Sequence, residues 1–269
     1  MRQQQRLNQI LDALSTDGHL TIDEIVDQFG ISAATARRDL GILSRQRLAT
    51  RTHGGAVSMG NAYELPLQYK IARNAESKLA IAATAVELLS PGETVGLTGG
   101  TTTTEVARVL GADPRLCSDR DPSLTVVTNA LNIAYELAIR RHIKLVVTGG
   151  VARPLTFELV GPMVGDAIAG LVLDWAIVGA DGLDARYGVT TVDDGEATVN
   201  RELVKAARKV MVVADRSKLG HSTFARICTL GEVTTLVTDA QPEPELGDAL
   251  ARAGVEVLVS PPKGSHATS

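Results

Sequence analysis

The apolar residues of the N-terminal segment recur at the spacing of helices. The first predicted helix has apolar residues at positions i, i+3, i+4 and i+7, namely Leu7, Ile10, Leu11 and Leu14. A second helix is predicted to begin at a capping box formed by Thr21 and Glu24 and to end at Gly30. Ser32 can cap a third helix, whose apolar positions are Ala33, Ala36, Leu40 and Leu43. Two helices joined by so short a turn predict a helix-turn-helix.

A short alternating run follows the third predicted helix. The segment Leu48–Val57 alternates polar and apolar residues and contains the pair Gly54-Gly55, which predicts a β-wing. The next segment, 58–77, is polar and has little periodicity, so we interpret it as a linker. Residues 1–57 are therefore predicted to form a winged helix-turn-helix domain.

The rest of the chain alternates between apolar, β-rich runs and helical runs. The predicted strands are Thr94–Thr98, Leu124–Thr128, Lys144–Thr148, Trp175–Gly179, Val210–Ala214, Thr235–Thr238 and Val255–Val259. The predicted helices are Lys78–Leu89, Thr102–Leu110, Ala130–Arg140, Leu159–Gly170, Glu196–Ala207 and Glu245–Ala253. Apolar strands that alternate with helices are typical of a mainly parallel sheet with helices on both faces. The fold class is therefore α/β, with a three-layer αβα domain over 78–261 and a flexible tail, 262–269.

The composition is that of an ordinary globular protein. The 269 residues are 44% apolar and 22% charged, which excludes a wholly disordered or fibrous chain. Two cysteines far apart, Cys117 and Cys228, argue against a disulfide framework and favour a reducing cytoplasm. We find neither a signal-peptide pattern nor an apolar run of about 20 residues, so no membrane association is expected. His142 and His221 have no second ligand at metal spacing, so we predict no metal and no other cofactor.

Charge is distributed unevenly along the chain. The net charge is −4, but residues 32–57 contain five arginines and one aspartate, which makes this stretch strongly basic. Helical geometry directs Thr35, Arg38 and Arg45 away from the apolar face of the third helix, with Arg37 on its flank. Such a helix can enter a DNA major groove, where arginine reads guanine or holds phosphates. A small helical subdomain with a solvated arginine face is the alternative.

Polar residues follow several predicted strands, at the edge where open α/β sheets bind their ligands. A glycine- and threonine-rich segment follows the first of these strands and leads into a helix: Gly99, Gly100, Thr101, Thr102 and Thr103, here called the anion cradle. Its backbone N–H groups and hydroxyls suit a phosphate, although a tight turn with threonine caps is the alternative. The lysine of a Walker A loop and the glycine pattern of a dinucleotide fold are absent, which disfavours an ATPase or a dehydrogenase.

Further strand ends are predicted to converge on the anion cradle. Lys218 could neutralise a phosphate, and Asn129 and Asp181 could form hydrogen bonds with hydroxyls. Gly150 follows another strand, in a pair of glycines. Glu196 lies near a helix start, where it either points into the pocket or stabilises the helix dipole.

Several motifs occur in a fixed order along the chain. The segment 31–56 contains T-x-R-R-D-L and R-x-H-G-G-A, and the later motifs are L-T-G-G-T-T-T, V-V-T-N-A, V-T-G-G, G-A-D-G, G-E-A and A-D-R-S-K. By these motifs the chain resembles the DeoR-type bacterial transcriptional regulators over essentially its whole length. The resemblance implies a regulator of sugar metabolism, typically a repressor. It also implies a C-terminal domain similar to ribose-5-phosphate isomerase that binds a phosphorylated sugar or polyol.

The resemblance implies roles for individual residues as well. The DNA-binding residues, on the recognition helix and in the wing, are expected to be Ser32, Thr35, Arg37, Arg38, Arg45, Arg51 and His53. The effector-binding residues are expected to be Gly99, Gly100, Thr101, Thr102, Thr103, Asn129, Gly150, Asp181, Glu196 and Lys218. Two positions depart from the family pattern: Thr98 replaces a common Asp, and Arg47 replaces a usual Gly.

We therefore predict a cytoplasmic transcriptional regulator with no catalytic residues. Its expected partners are operator DNA, a phosphorylated sugar or polyol, and further copies of itself in a homodimer or homotetramer. A sugar-phosphate isomerase is the first alternative, with Glu196 or Asp181 as the general base. This alternative leaves the N-terminal residues without a role. The second alternative is an adaptor that binds protein through its N-terminal helices. The concentration of arginine in residues 32–57 disfavours this alternative.

Overall fold

The chain forms two compact units, Met1–Arg73 and Asn74–Ser269. A computed structural model describes residues 3–46, 48–58, 66–71, 73–117 and 122–260. The predicted flexible tail, 262–269, and the unusual Arg47 lie outside the described residues.

The first unit consists of helices and a small antiparallel sheet. Its helices are α1 (Gln3–Asp17), α2 (Ile22–Phe29), α3 (Ala33–Arg45) and α4 (Leu67–Lys70). Its strands are β1 (His19–Thr21), β2 (Ala49–Arg51) and β3 (Gly55–Ser58). In the sheet, β3 lies between β1 and β2 and pairs antiparallel with both. The architecture is a helix-turn-helix, α2 and α3, followed by the β2–β3 wing.

Local sequence signals account for the bounds of the helix-turn-helix. Thr21 and Glu24 form the predicted capping box at the start of α2, and Gly30 ends that helix with a φ of 62°. The hydroxyl of Ser32 accepts a hydrogen bond from the N–H of Thr35 at the start of α3. All three of these predictions are confirmed, as is burial of the apolar face of α1, formed by Leu7, Ile10, Leu11 and Leu14.

Strand β1 is absent from the sequence prediction, because three residues are too few to show a period. Its pairing with β3 requires a glycine, since a Cβ at Gly55 would lie 2.0 Å from the carbonyl oxygen of Leu20. The predicted linker, 58–77, contains residues of both units, and its residues 59–65 lie outside the described part. Tyr69 in that segment is buried in the core of the first unit, and its hydroxyl donates a hydrogen bond to Gln46.

The second unit is built on a seven-stranded sheet in which every neighbouring pair of strands is parallel. The helices of the unit are α5 (Ala75–Glu87), α6 (Thr101–Ala112), α7 (Leu131–Leu137), α8 (Pro162–Ile168), α9 (Asp194–Ala206) and α10 (Pro244–Arg252). The strands are β4 (Thr94–Leu97), β5 (Leu124–Thr128), β6 (Ile143–Val147), β7 (Val151–Ala152), β8 (Leu159–Val160), β9 (Leu173–Gly179), β10 (Gly182–Asp184), β11 (Gly188–Thr191), β12 (Ala207–Val213), β13 (Ala225–Cys228), β14 (Thr235–Thr238) and β15 (Glu256–Val259). The order across the large sheet is β15-β14-β12-β9-β4-β5-β6.

The large sheet contains the seven predicted strands, so the predicted parallel sheet is confirmed. One apolar core packs α5, α6 and α7 against the sheet, and two others pack α8, α9 and α10. Helices therefore cover both faces, as expected of a three-layer αβα domain. None of the described helices is both long and apolar enough to cross a membrane.

The helix predicted over Leu159–Gly170 is partly wrong. Its first two residues form β8, which pairs antiparallel with β7 as a hairpin, and α8 begins only at Pro162. Gly161 has a φ of 103°, outside the helical region, and proline favours the first position of a helix. A second antiparallel sheet, β10-β11-β13, was also not predicted from the strand periodicity.

Candidate DNA-binding surface and effector site

The start of α3 is held by hydroxyl groups. Ser32 Oγ and Thr35 Oγ1 lie 2.9 Å apart, and the N–H of Thr35 donates to Ser32 Oγ at 3.2 Å. Ser32 is exposed and Thr35 is half-buried. This end of the helix therefore presents small polar side chains in a defined orientation.

The charged side chains of α3 divide by sign between its two faces. Arg37, Arg38 and Arg45 are exposed, whereas Asp39 is completely buried. Asp39 accepts hydrogen bonds from Arg6 of α1, at 2.5 Å to Nε and 3.2 Å to the terminal nitrogen. This hydrogen bond raises the pKa of the Arg6 guanidinium, so Arg6 stays protonated. The one acidic residue of the basic stretch is therefore neutralised internally, and the solvent-facing side of α3 carries the arginines.

The wing adds two exposed basic or titratable groups. Arg51 lies at the end of β2, and His53 lies in the turn between β2 and β3. Both side chains are exposed. The N–H of Thr52 donates to the carbonyl of Gly55 at 3.0 Å and closes this turn. The structure thus places the predicted residues on α3, its N-cap and the wing, with Ser32 and Thr35 in direct contact.

The anion cradle of the second unit follows β4 and includes the first turn of α6, at the carboxyl edge of the large sheet. Gly100 is the N-cap residue of α6, with a φ of 120°, and no side chain caps the helix among the described residues. The hydroxyls of Thr103 and Thr104 donate to the carbonyl of Gly100, at 3.1 and 2.6 Å. Thr101 is half-buried and Thr102 is buried. The uncapped helix start, rather than the hydroxyl of Thr103, is thus the group suited to an anion.

Thr98, one of the two positions at which the chain departs from the pattern of the resemblance, links two neighbouring strands. Its hydroxyl accepts a hydrogen bond from the N–H of Gly179, at 3.0 Å, and lies 3.2 Å from the carbonyl of Gly99. The residue is almost completely buried. Thr98 thus connects the ends of β4 and β9 directly beside the anion cradle.

Two buried polar residues adjoin the cradle. Asn129, which follows β5, donates from Nδ2 to Glu158 Oε2 at 3.0 Å. Glu158 lies between β7 and β8, and a Cβ added to Gly99 would lie 2.2 Å from its Cγ. The predicted Gly99 and Asn129 are therefore brought together by Glu158, which the sequence argument did not select.

A second cluster joins the predicted Asp181 and Glu196. The hydroxyl of Thr191 lies 3.1 Å from Asp181 Oδ2 and 3.4 Å from Glu196 Oε2. Thr156 donates to Glu196 at 2.5 Å, and Arg153 forms ion pairs with both Glu196 and Asp193. Glu196 is 2% exposed, so its carboxylate points inward and is held by an arginine and two hydroxyls.

The remaining predicted effector residues occupy less polar positions. Gly150 has a φ of 120°, and a Cβ there would lie 2.8 Å from the carbonyl of Val160, so it permits close packing of the β7–β8 hairpin. Lys218 is half-buried and follows β12 in a short 3-10 helix. Gly220, two residues later, donates to the carbonyl of Leu183, so this segment adjoins β10. The ammonium of Lys218 has no hydrogen-bond or ion-pair partner among the described residues.

Sequence reasoning missed the contribution of the β7–β8 hairpin. Arg153, Thr156 and Glu158 all lie between β7 and β8, and each contacts a predicted site residue. The rule that ligands bind beyond strand ends did not select them, because the hairpin is outside the large sheet. The available signal was two charged residues, Arg153 and Glu158, in a mainly apolar segment between Gly149-Gly150 and Gly161-Pro162. No group of three acidic, histidine or cysteine side chains among the described residues could hold a metal ion.

Comparison with known proteins matches both units. The DeoR-like helix-turn-helix domain matches residues 6–61, and the DeoR C terminal sensor domain matches residues 73–240. The HTH-type transcriptional regulator GlpR of Haloferax volcanii is 35% identical, over 94% of this chain and 96% of its own. The glycerol-3-phosphate regulon repressor of Escherichia coli K12 is 31% identical, over 90% of this chain and 93% of its own. The putative aga operon transcriptional repressor of Escherichia coli O157:H7 is 30% identical, over 95% of this chain and 93% of its own.

Solved structures align with a smaller part of the chain. Ribose 5-phosphate isomerase A of Methanocaldococcus jannaschii aligns with 54% of this chain and 55% of its own, with a TM-score of 0.40 and 23% identity. A probable sor operon regulator of Shigella flexneri aligns with 64% of this chain and 87% of its own, with a TM-score of 0.42 and 14% identity. The two domain matches and the relatives above are those of transcriptional regulators rather than enzymes. The chain belongs to the DeoR family of DNA-binding transcriptional regulators.

Proposed function

We propose that this regulator represses a carbohydrate-metabolism operon and that a phosphorylated sugar or polyol releases it from operator DNA. The names of its relatives support this proposal, since they include a glycerol-3-phosphate regulon repressor and a putative aga operon repressor. We further propose that the protein works in the cytoplasm as a homodimer or homotetramer. Two copies would place two recognition helices on the two halves of a palindromic operator.

The observation that carries the DNA-binding proposal is the separation of charge on α3. Because Asp39 is paired internally with Arg6, the exposed face presents Arg37, Arg38 and Arg45 with no exposed carboxylate of the same helix. Contacts of these arginines with phosphates would supply affinity, and they would make binding dependent on salt. Thr35 and Arg38 would read base edges, and Ser32 would orient Thr35. In the wing, Arg51 and His53 would contact the DNA backbone.

The effector would occupy the carboxyl edge of the large sheet. Its phosphate would bind the uncapped N-terminus of α6, from Gly99 to Thr103, with Lys218 as a counter-charge. Asn129, Asp181 and Glu196 would form hydrogen bonds with the hydroxyls of the sugar or polyol. Gly150 would keep the β7–β8 hairpin close to these residues.

Control of DNA binding requires the effector to favour one state of the protein. A ligand shifts an equilibrium only by the difference between its affinities for the two states. The sugar phosphate would therefore bind the state with low operator affinity more tightly than the operator-bound state. By linkage, operator DNA would weaken effector binding by the same factor.

Gel-shift and fluorescence-anisotropy experiments test the DNA-binding proposal. Their probe is the promoter DNA next to the protein's own gene, titrated at several salt concentrations. We expect specific retention whose affinity falls as salt rises, and we expect Arg37→Ala/Arg38→Ala to abolish specific binding while the fold is kept. The double variant Arg141→Ala/Arg186→Ala removes two exposed arginines of the second unit and is the matched control. Equal loss in both variants, or no salt-sensitive retention at all, would contradict the proposal.

A further inference from the structure

Helix α7 is apolar on two opposite faces. Ile133 and Leu137 pack into the core of the second unit and are completely buried. The opposite face carries Leu131 and Tyr135, and Ile139 continues it just beyond the end of the helix. Tyr135 is 85% exposed and Ile139 is 76% exposed. Leu131, Tyr135 and Ile139 together form what is here called the α7 face.

The α7 face differs from the solvent-facing side of an ordinary surface helix. In α10, for example, the exposed positions include Glu245, Asp248 and Arg252. The one charged residue of α7, Glu136, lies on its flank, where its carboxylate is 3.6 Å from the guanidinium of Arg140. A helix that is apolar on all sides is normally buried. The α7 face therefore indicates a surface that another molecule covers.

The β7–β8 hairpin extends this apolar surface. The carbonyl of Phe157 accepts a hydrogen bond from the N–H of Leu131 at 3.0 Å, so the two residues are neighbours. Phe157 has a φ of 62°, which is unfavourable for a bulky residue, and it is still 41% exposed. The unfavourable backbone conformation thus keeps an aromatic side chain at the surface beside the α7 face.

The area of this surface suits a homodimer interface. A large side chain contributes about 150–250 Å², so covering the exposed parts of the α7 face and Phe157 in two copies would remove roughly 1,000 Å² of apolar surface from water. At the apolar share of homodimer interfaces, about 65%, this corresponds to a total interface of roughly 1,500 Å². Stable interfaces typically bury about 1,200–2,000 Å². The surface is therefore large enough to hold a second copy of the chain.

The spacing of the α7 face suits a two-fold axis. Leu131 and Ile139 lie four residues before and four residues after Tyr135. In an antiparallel pair of α7 helices with the axis near Tyr135, Leu131 would contact Ile139 of the partner subunit, and the two tyrosine rings would meet at the centre. The other outward residues of the helix and its end, Ala134 and Ala138, are small and permit close approach. The face is thus complementary to itself and brings no like charges together.

We propose that the α7 face and Phe157 form a two-fold interface between copies of this chain. The inference rests on the proposed function, since it assigns a surface to the homo-oligomer proposed there. In a homodimer this surface is the dimer interface, and in a homotetramer it is the interface within each pair of subunits.

The test is the oligomeric state of the full chain, measured by analytical ultracentrifugation over a range of protein concentrations. Tyr135→Glu places a charge at the centre of the proposed interface, and Ile139→Glu places one nearer its edge. Phe224→Glu is the matched control, because Phe224 is 82% exposed and lies directly before β13, outside α7 and the β7–β8 hairpin. Circular dichroism and thermal unfolding establish that each variant is folded.

We expect the wild type to be a dimer or a tetramer. Tyr135→Glu and Ile139→Glu should raise the dissociation constant of the subunit pair by about 30-fold or more, the scale of a central aromatic residue in an interface. Phe224→Glu should resemble the wild type. An unchanged dissociation constant in Tyr135→Glu, or an equal loss in Phe224→Glu, would overturn the proposed interface and leave the proposed function standing. A monomeric wild type would overturn both the interface and the proposed homo-oligomer.

Cross-linking provides a second measurement on variants that carry no added charge. Tyr135→Cys is made in a Cys117→Ser background, since Cys117 is exposed and Cys228 is buried. A short bismaleimide should join two copies of Tyr135→Cys in high yield and two copies of Phe224→Cys, in the same background, in low yield. Equal yields from the two variants, or no cross-linked product from Tyr135→Cys, would overturn the proposed interface.

The arginine variant separates the interface from DNA binding. Arg37→Ala/Arg38→Ala should lose operator binding and keep the oligomeric state of the wild type, because neither arginine belongs to the α7 face. Loss of oligomers in this variant would contradict the assignment of the interface to α7. Operator binding that persists in this variant would contradict the proposed function instead.

Discussion

Replacement of Arg6 by Ala is predicted to destabilise the first unit through Asp39, the buried partner of the Arg6 guanidinium. Asp39 has no exposed surface and is held by two hydrogen bonds from the Arg6 guanidinium. The variant would leave the carboxylate buried without its cation. The pair also joins α1 to α3, so its loss acts on the helix that presents the exposed arginines.

The expected magnitude follows from the burial of the pair. Removing one partner of a buried ion pair reduces the free energy of unfolding by about 3–5 kcal/mol, because the remaining charge is uncompensated. Small domains have a total stability of about 5–15 kcal/mol, so the first unit would lose a large part of its own. The double variant Arg6→Met/Asp39→Leu replaces both charges by apolar groups of similar size, and it should restore most of the loss.

Hydrogen exchange followed by mass spectrometry measures the effect locally. Peptides from α1 and α3 should exchange faster in Arg6→Ala, whereas peptides from the seven-stranded sheet should be unchanged. Exposed Arg141→Ala provides the control for the loss of an arginine. A change of less than about 1 kcal/mol in Arg6→Ala, or a double variant as unstable as the single one, would refute the reasoning from burial.

Three further predictions concern single residues. Gly55→Ala should disrupt the pairing of β1 with β3 and weaken operator binding, because the new Cβ collides with a backbone oxygen. Gly54→Ala has open space around the new Cβ and should change neither property. Amide exchange of residues 55–58 compares the two variants. The N–H and then the hydroxyl of Thr21 lower the pKa of Glu24 below its usual 4.5, so Glu24 stabilises the fold above that pH and its contribution is lost as the pH falls through the lowered pKa. The stability difference between wild type and Glu24→Gln, measured by denaturant unfolding, should therefore shrink in acid; a constant difference would contradict it. Burial raises the pKa of Cys228 to about 12, so a thiol reagent at pH 8 should label exposed Cys117 alone in the native protein and both thiols after unfolding. Labelling of two thiols per native chain would contradict this.

The elements that could be predicted are those whose signals are local. The capping box at Thr21 and Glu24 and the helix end at Gly30 depend on residues within one turn, and both occur as predicted. The five inner strands of the parallel sheet are mostly buried and form apolar runs in the sequence, whereas the edge strands β15 and β6 are partly exposed. Strand β1 and the β7–β8 hairpin have two or three residues per strand, too few for a period, and their pairing depends on distant partners.

The same distinction applies to the candidate sites. Positions of Arg37 and Arg38 follow from helical geometry, and both side chains are exposed as expected. The internal pairing of Asp39 could not be predicted, because Arg6 is 33 residues away in the sequence. Glu158 was missed for a similar reason: its contact with Gly99 joins a hairpin to the edge of the sheet across almost sixty residues. Charged residues in short apolar segments therefore deserve the same scrutiny as strand ends.

Linkage between the two binding sites tests the central claim most directly. The affinity of the full chain for a labelled promoter fragment is measured by anisotropy with and without a sugar phosphate that binds it. The affinity for the same sugar phosphate is then measured by calorimetry with and without the promoter fragment. Effector-controlled repression predicts that the effector weakens DNA binding and that DNA weakens effector binding by an equal factor, on the order of 5–150-fold. A protein that binds both ligands with affinities unaffected by each other would contradict the account.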